Sequence, residues 1–159
     1  NKMKKVVNDI WADNNNLFQS KKDLIILASI INAETIKDTE KYTVSSVFHN
    51  RLKLSMRLQS DPTVLYAKNF NKKTDTRKIF KSDLRLDSPW NTYTRRGLPI
   101  TPICNPGAIS MKAAIKPLKT NFLYFVSDGA GGHRFSSNLK KHKENISFWK
   151  QKSSDNEIK

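Results

Sequence analysis

The sequence has 159 residues, with 29 Lys and Arg against 14 Asp and Glu, so its formal net charge is +15. This length suffices for one ordinary domain with a core of its own, and a hydrophobic fraction of 37% is normal for a soluble globular protein. The excess of positive charge favours an anionic partner, such as nucleic acid, a membrane surface or an acidic polymer.

The single cysteine, Cys104, excludes an internal disulfide. Together with the three histidines it gives no cluster with a familiar metal-ligand spacing, so we expect neither a metal ion nor another cofactor. No apolar run approaches the roughly 20 residues that a membrane span needs. Because the chain begins at Asn1 and not at Met, we expect a fragment of a longer protein.

The first half of the chain has helical periodicity. A basic helix is predicted from Lys2 to Asp13, and the asparagines at 14–16 end it. A second helix is predicted from about Lys22, with Ser20 as its N-cap. A third follows, capped by Asp38 or Thr39. The motif Ser60-Asp61-Pro62 is a helix-start signal, which predicts a short fourth helix over about 62–68.

The second half is expected to contain a loop, a hairpin and two further helices. From 69 to 106 the apolar periodicity fades, which predicts a long ordered loop of the kind that is usually functional. Asn105-Pro106 begins a helix that Pro117 ends. FLYFVS, residues 122–127, is a strand by composition, and HRFS returns as its partner across the turn DGAGG.

The last helix is predicted from near Ser137, and the residues after Gln151 are expected to form a loose polar tail. The sequence therefore predicts an α+β fold that is mainly helical and has a small antiparallel hairpin. We expect one domain over residues 1–152, followed by the tail at 153–159.

The second predicted helix carries a carboxylate at the centre of its apolar face. At about 100° per residue, one stripe is formed by Leu27, Ile30 and Ile31. Glu34 falls in the middle of this stripe. Burial raises the pKa of a carboxyl group, and a protonated Glu at neutral pH can serve as the general acid in glycosidic cleavage. Two other interpretations remain open: an exposed helix surface, or a core pair with Arg51 or Arg57.

The segment RLQSDPTVLY offers a second carboxylate. Asp61 is expected to be an N-cap of the fourth helix. It is also a candidate partner of Glu34, assisted by Gln59. A hydrolase with two carboxylates needs separations of about 5 to 9.5 Å, which a sequence does not supply.

The predicted loop is rich in aromatic and short amide side chains, namely Trp90, Asn91, Thr92, Tyr93 and Asn105. Aromatic faces and amides suit sugar rings, which have apolar faces and many hydroxyl groups. Turn chemistry and core filling explain the same residues equally well, and both interpretations can hold together.

The segment DGAGGHRF contains a glycine cluster beside His133. It has neither phosphate-binding glycine pattern nor a strand-to-helix placement, so a hairpin turn is the favoured interpretation. His133 is interpreted as a polar sheet residue, with the alternative that it points into a site. The basic stretches KNFNKKTDTRK and LKKHKEN are expected to be solvated faces, because the chain has no nucleic-acid-binding module.

Five long segments resemble the YceG-like family, also called the MltG family, of membrane-anchored endolytic murein transglycosylases. In chain order they are LASIINAET, VSSVFHNRLKLSMRLQSDPTVLY, NTYTRRGLP, NPGAISMKAAIKP and FLYFVSDGAGGH. The resemblance runs from about Leu24 to Phe148, nearly the whole chain. It implies the catalytic domain of such an enzyme.

The family's helix motif places its catalytic acid/base at Glu34. Asn32 stands here where the family has another glutamate, and Ala33 where it has lysine, which removes one charge of each sign near Glu34. Ile100 and Thr101 also depart from the family's usual proline and glycine. By motif position, the sugar is expected to contact Gln59, Asp61, Asn91, Tyr93 and Asn105.

The resemblance implies cleavage of the MurNAc–GlcNAc β-1,4 bond of peptidoglycan, with formation of 1,6-anhydroMurNAc ends. It also implies an extracytoplasmic position at the bacterial inner membrane, an anionic membrane surface nearby, and association with cell-wall synthesis proteins. Three alternatives stay open: a peptidoglycan-binding module without catalysis, a muramidase-type hydrolase that uses Asp61, and a nucleic-acid binder. The last rests on the net charge alone, so we expect no specific nucleic-acid partner.

Overall fold

The computed structural model describes residues 2–14, 16–70 and 76–157. The helices in this part of the chain are α1 (Lys2–Trp11), α2 (Lys21–Glu34), α3 (Asp38–Lys53), α4 (Asp61–Phe70), α5 (Ala108–Ile115) and α6 (Leu139–Glu157). A short 3₁₀ helix covers Asp83–Arg85. The strands are β1 (Tyr124–Ser127) and β2 (His133–Ser136), which pair antiparallel in a two-stranded sheet. The predicted α+β fold, mainly helical with a small hairpin, is confirmed.

Helix α2 lies at the centre of the core, where it packs against α3, α4 and α5. Ser20 caps it as predicted, since its hydroxyl oxygen accepts the amide hydrogen of Asp23 (3.1 Å). The predicted apolar stripe is fully buried, and so are the residues beside it, which are Leu24, Ile26 and Ala28. A helix that is buried on most sides holds its last residue, Glu34, at a fixed place.

The hairpin is attached to the core through β1. Phe125 packs edge-on against Phe48 of α3, with ring centroids 5.8 Å apart. The turn is closed by Asp128, whose amide donates to the Gly132 carbonyl (2.9 Å) and whose carboxylate accepts from the amides of Ala130 and Gly132 (2.7 and 2.9 Å). The hairpin also packs against α6.

The end of α1 and the start of α3 differ from the prediction. Helix α1 ends at Trp11 and not at Asp13, because the amide of Asp13 bonds back to Ile10 in a tight turn (3.1 Å). Helix α3 is preceded by Lys37, which makes no side-chain cap, so the predicted caps at 38 and 39 are wrong. The Asp38 carboxylate instead accepts from Lys41 Nζ (2.6 Å).

The start of α5 and the end of α6 also differ from the prediction. Helix α5 begins at Ala108, after Gly107, and not directly at Asn105-Pro106. Helix α6 continues to Glu157, so the expected loose tail is helical over its described residues. Lys152 Nζ donates to the Asp128 carbonyl (3.3 Å), a contact that docks this polar end on the hairpin turn.

The irregular stretch predicted from 69 to 106 has, in its described residues from 76 onward, the 3₁₀ helix and otherwise turns and loop. The first part of this stretch, residues 71–75, lies outside the described residues. So does Asn15, one of the three asparagines expected to end the first helix.

Candidate active site

A cleft of about 360 Å³ lies between the end of α2 and the hairpin. One side, here called the acid wall, is formed by Glu34, Leu58, Gln59, Asp61 and Tyr93. The other side, here called the hairpin wall, is formed by Phe125, Val126, Ser127, His133, His142 and Trp149. Arg51 also lines the cleft. Its volume lies in the range of small-ligand sites, about 300–1,000 Å³.

Glu34 is the last residue of α2 and is half-buried in this cleft. Burial raises its pKa to about 7, since the charged form loses its hydration. The Ser60 hydroxyl opposes this shift by donating to Glu34 Oε1 (2.5 Å), while the nearby negative charge of Asp61 adds to it. The balance leaves a carboxylic acid that can both give and take a proton near neutral pH.

Arginine does not neutralise this carboxylate. Among the described residues, no ion pair joins Glu34 to Arg51 or Arg57, so the alternative of a core pair is wrong. Arg51 is 7% exposed, and its guanidinium is directed at other acceptors instead. Its Nε donates to the Leu123 carbonyl (2.6 Å), and its Nη1 donates to the Arg57 carbonyl (2.9 Å).

Asp61 and Tyr93 form a hydrogen-bonded pair on the acid wall. The Tyr93 hydroxyl donates to Asp61 Oδ1 (2.6 Å). Burial, together with this bond to a carboxylate, raises the pKa of Tyr93, so the phenol keeps its proton at any physiological pH. Asp61 is the first residue of α4, where a carboxylate is favourable next to the helix N-terminus. Within the described residues, this bond from Tyr93 takes the place of the predicted side-chain cap.

Gln59 is held in an uncommon backbone conformation, with φ at +52°. Its amide donates to the Thr92 carbonyl (3.2 Å), and the next amide, of Ser60, donates to Thr92 Oγ1 (2.9 Å). Its side-chain oxygen accepts from Arg51 Nη1 (3.2 Å). With the oxygen fixed in this way, the side-chain NH₂ is the group of Gln59 that remains to donate to a ligand.

Two of the predicted sugar-contacting residues do not line the cleft. Asn91 is 1% exposed, and its NH₂ donates to the carbonyls of Leu84 and Leu86 (3.2 and 2.8 Å). Its side-chain oxygen accepts the amide hydrogen of Tyr93 (2.9 Å), so it positions Tyr93 from behind. Asn105 is exposed near the start of α5 and is not among the lining residues.

Trp90 also lies outside the cleft. Its Nε1 donates to Thr101 Oγ1 (2.8 Å), and its ring packs against Tyr66 and Phe70. Core filling is therefore the interpretation that the structure supports for this aromatic residue.

The hairpin wall contains His133, for which pointing into a site was the alternative interpretation, and two residues of α6 that sequence reasoning did not place in the site. His133 Nδ1 and the His133 amide both bond to the carboxylate of Glu40 (2.8 and 3.1 Å), which fixes the ring at the edge of the cleft. His142 and Trp149 come from α6. Only their positions on an otherwise polar helix distinguished them in the sequence, and that signal is too weak to assign a cleft residue.

Asn32 and Ala33, the departures beside Glu34, both lie outside the cleft lining. The side-chain oxygen of Asn32 accepts from Ser110 Oγ (2.9 Å) and from the Gly107 amide (3.3 Å), so it connects α2 to the start of α5. Ala33 is exposed. The side chains that shift the pKa of Glu34 are those of Ser60 and Asp61, and they include neither residue.

No group of three His, Cys, Asp or Glu side chains is placed to hold a metal ion in the described part of the chain. Within residues 2–14, 16–70 and 76–157, the helices also fall short of the length and apolar character required for a bilayer crossing.

Comparison with known proteins gives consistent matches. The sequence profile of the YceG-like family matches residues 1–147. A protein named endolytic murein transglycosylase from Bacillus subtilis is 43% identical over 119 residues, which are 75% of this chain and 32% of that protein. A protein of the same name from Streptococcus pneumoniae is 30% identical over 126 residues, which are 78% of this chain and 23% of that protein.

Among solved structures, a crystal structure of a YceG-like protein from Listeria monocytogenes matches with a TM-score of 0.74 and 38% identity. The match covers 86% of this chain and 42% of that one. The chain thus spans about a third or less of the length of the curated relatives that it matches.

Proposed function

This chain belongs to the YceG-like family, and on that premise we propose that it is the catalytic domain of an endolytic murein transglycosylase. Its reaction is cleavage of the β-1,4 bond between MurNAc and GlcNAc, with formation of a 1,6-anhydroMurNAc end. The observation that carries the proposal is one half-buried carboxylic acid, Glu34, whose pKa is about 7, in a cleft of about 360 Å³.

In the first step, Glu34 donates its proton to the bridging oxygen of the departing GlcNAc. The bond from MurNAc C1 to that oxygen breaks, and positive charge develops on the MurNAc ring. A carboxyl group with a pKa of about 7 is protonated in half of the molecules at neutral pH, which an ordinary glutamic acid with a pKa of 4.5 is not. General acid catalysis of this kind is worth roughly 10²–10⁴-fold in rate.

In the second step, the Glu34 carboxylate accepts the proton of the MurNAc C6 hydroxyl as its oxygen bonds to C1. One C–O bond has broken and one has formed, the proton has returned to Glu34, and no water has been consumed. Because the substrate supplies its own nucleophile, the mechanism needs no second catalytic carboxylate.

The other members of the acid wall bind the sugar. The NH₂ of Gln59 donates to a sugar hydroxyl or acetamido oxygen. Asp61 accepts from a hydroxyl group while Tyr93 holds its carboxylate in place (2.6 Å). Asn91 acts indirectly: it accepts the amide hydrogen of Tyr93 and so positions Tyr93, without touching the sugar.

The same proposal extends to location and partners. The domain works on the extracytoplasmic side of the bacterial inner membrane, on peptidoglycan glycan strands, beside the proteins that synthesise the wall. Its net charge of +15 suits stem-peptide carboxylates and an anionic membrane surface, where a nearby Lys or Arg is worth about 1 kcal/mol.

The experiment is a digest of purified peptidoglycan by the wild-type domain and by Glu34→Gln, with mass spectrometry of the released glycan ends. The wild type is expected to produce anhydroMurNAc ends, and the variant is expected to produce them at least about 100-fold more slowly. Glutamine has nearly the same size, so the two proteins should unfold alike at low pH, where Glu34 is also neutral.

The digest also separates two other functions. A muramidase-type hydrolase is favoured by the closeness of Asp61 to Glu34, and it would leave reducing ends that depend on Asp61. A binding module without catalysis would retain glycan strands and release no product with either protein. Either result would overturn the proposed reaction.

A further inference from the structure

The edge of strand β1 faces the candidate active site. Three consecutive strand residues, Phe125, Val126 and Ser127, line the cleft. Side chains alternate between the two faces of a strand, so a cleft that lies over one face would meet every second residue. A cleft that runs along the edge of the strand meets all three.

The hydrogen-bond pattern of the hairpin identifies the groups on this edge. Asp128 donates its amide hydrogen to Gly132 (2.9 Å), which makes this a hydrogen-bonded pair. Such pairs alternate with pairs whose N–H and C=O groups point outward. Ser127 opposite His133, and Phe125 opposite Phe135, are therefore outward-pointing pairs.

The outward N–H and C=O groups of Phe125 and Ser127 have no hydrogen-bond partner among the described residues. An unpaired strand edge of this kind is a template for an added strand. These groups recur every second residue, at an interval of about 7 Å, which matches the interval of outward groups in an extended peptide.

Arg51 marks where the open edge begins. Its Nε donates to the carbonyl of Leu123, the residue just before β1 (2.6 Å), and its Nη1 donates to Gln59 on the acid wall (3.2 Å). The edge therefore starts beside the acid wall and runs away from it toward the hairpin turn. A chain attached to a sugar at Glu34 can follow it.

A polar group beside the edge is also without a partner. His142 Nδ1 is buried and forms no hydrogen bond within the described residues, although its ring lines the cleft and stacks on Tyr124 with centroids 4.9 Å apart. Buried polar atoms are rarely left in this state. Trp149 offers an aromatic surface in the same wall.

We propose that the free edge of β1 binds the stem peptide of peptidoglycan as an added strand, so that the substrate is a peptide-bearing glycan and not a bare one. This proposal rests on the proposed function, since the peptide is attached to the MurNAc whose bond Glu34 breaks. Strand addition to an exposed edge is a common way to bind an extended peptide. The stem-peptide carboxylates also complement Lys152 at the turn, where Asp128 is the opposing charge.

The test compares two substrates: glycan strands that carry stem peptides, and the same strands after an amidase has removed the peptides. We expect kcat/KM of the wild type to be at least about tenfold higher for the peptide-bearing strands, since two or more added backbone bonds contribute. Equal values for the two substrates would overturn the proposal.

Two substitutions of Ser127 then measure the contribution of the strand edge to peptide binding. Ser127→Pro removes an outward N–H, whereas Ser127→Ala keeps it, and both lose the hydroxyl contact to the Gly129 amide (3.1 Å). The ratio of kcat/KM between the two substrates is expected to fall about fivefold or more in the proline variant relative to the alanine variant. An unchanged ratio would contradict the proposal, and thermal unfolding checks that both variants fold.

Calorimetry gives an independent measurement that does not depend on turnover. Glu34→Gln is titrated with an uncleaved peptide-bearing disaccharide and with the same disaccharide without peptide, and tighter binding of the first is expected. Anhydro ends produced equally from both strands would refute the edge proposal alone. Absence of anhydro ends from both would refute the proposed function, and the titration would still decide whether the peptide binds.

Discussion

At the scale of single residues, the chemistry of the site depends on how the surroundings of one carboxyl group are balanced. Burial raises the pKa of Glu34, Asp61 raises it further, and the bond from Ser60 lowers it. Ser60 is 1% exposed and comes from a different segment than α2. The sequence pattern indicated a carboxylate among apolar residues, but a contact between residues so far apart in the chain depends on the fold.

Ser60→Ala is expected to raise the pKa of Glu34, because the lost hydrogen bond stabilises the charged form. The alkaline limb of the pH profile of kcat/KM should therefore move to higher pH, by up to about one pH unit for a bond worth roughly 1–1.5 kcal/mol. The measurement is cleavage of peptidoglycan over a series of pH values.

A matched control for this substitution is Ser110→Ala. Ser110 is also fully buried, but its hydroxyl bonds to Asn32 on the other side of α2. The profile of this control should coincide with that of the wild type. A limb that moves to lower pH in Ser60→Ala, or that moves equally in both variants, would contradict the assignment of Ser60.

At the scale of elements, Arg51 of α3 joins the hairpin to the segment that leads into α4. Its donors reach the Leu123 carbonyl on one side and the carbonyls of Arg57 and Leu58 on the other (2.6, 2.9 and 3.3 Å). The two walls of the cleft are thus held at a defined separation by one side chain. A planar guanidinium with five donors can do this, whereas an ammonium group cannot reach both sides at once.

Arg51→Lys is expected to lower the free energy of unfolding by about 2–3 kcal/mol, because buried carbonyl groups lose their donor. It should also raise KM, since the walls are no longer held together. Urea unfolding at constant pH measures the first effect. Arg57→Lys, at a neighbouring exposed position, should change stability by less than about 0.5 kcal/mol. Equal losses in the two variants would contradict the bridging role.

The elements that the sequence predicted best are those with a strong local signal. The cap at Ser20 and the glycine-rich turn of the hairpin are local patterns, and both are confirmed. The predicted end of α6 was wrong: the helix continues past Gln151, and Lys152 bonds to the hairpin turn, a contact that no local pattern contains. Asn91 was expected to touch the sugar for a related reason: an Asn in a loop gives no sign of whether its amide serves the backbone or a ligand.

At the scale of the whole molecule, a pKa that is raised in the folded state makes the free energy of unfolding depend on pH. Glu34 has a pKa of about 7 in the folded state and 4.5 as the ordinary value. Between these two values the folded state binds more protons than the unfolded state, so the free energy of unfolding falls as pH rises through this window. Buried His49, whose pKa is lowered by desolvation, acts oppositely and destabilises the fold as pH falls below 6.5.

Glu34→Gln removes the pH dependence of stability that comes from Glu34 and leaves the one that comes from His49. The variant is therefore expected to be more stable than the wild type at pH 8, by up to about 3 kcal/mol, and nearly equal to it at pH 4.5. Urea unfolding at the two pH values measures the difference. Glu144→Gln, at an exposed site whose pKa is lowered by Lys141, should show no such gain at pH 8. A Glu34 variant that is less stable at pH 8 would indicate a structural ion pair instead of a sheltered acid.

The central claim is that the substrate's own C6 hydroxyl attacks C1 and gives its proton to Glu34, so that no water is consumed. Its most direct test is a digest of peptidoglycan in water enriched in the heavy oxygen isotope. Mass spectrometry of the new MurNAc ends is expected to show products that are one water lighter than reducing ends and carry no heavy oxygen. Reducing ends that carry the heavy isotope would show that water attacks C1, and they would contradict the account.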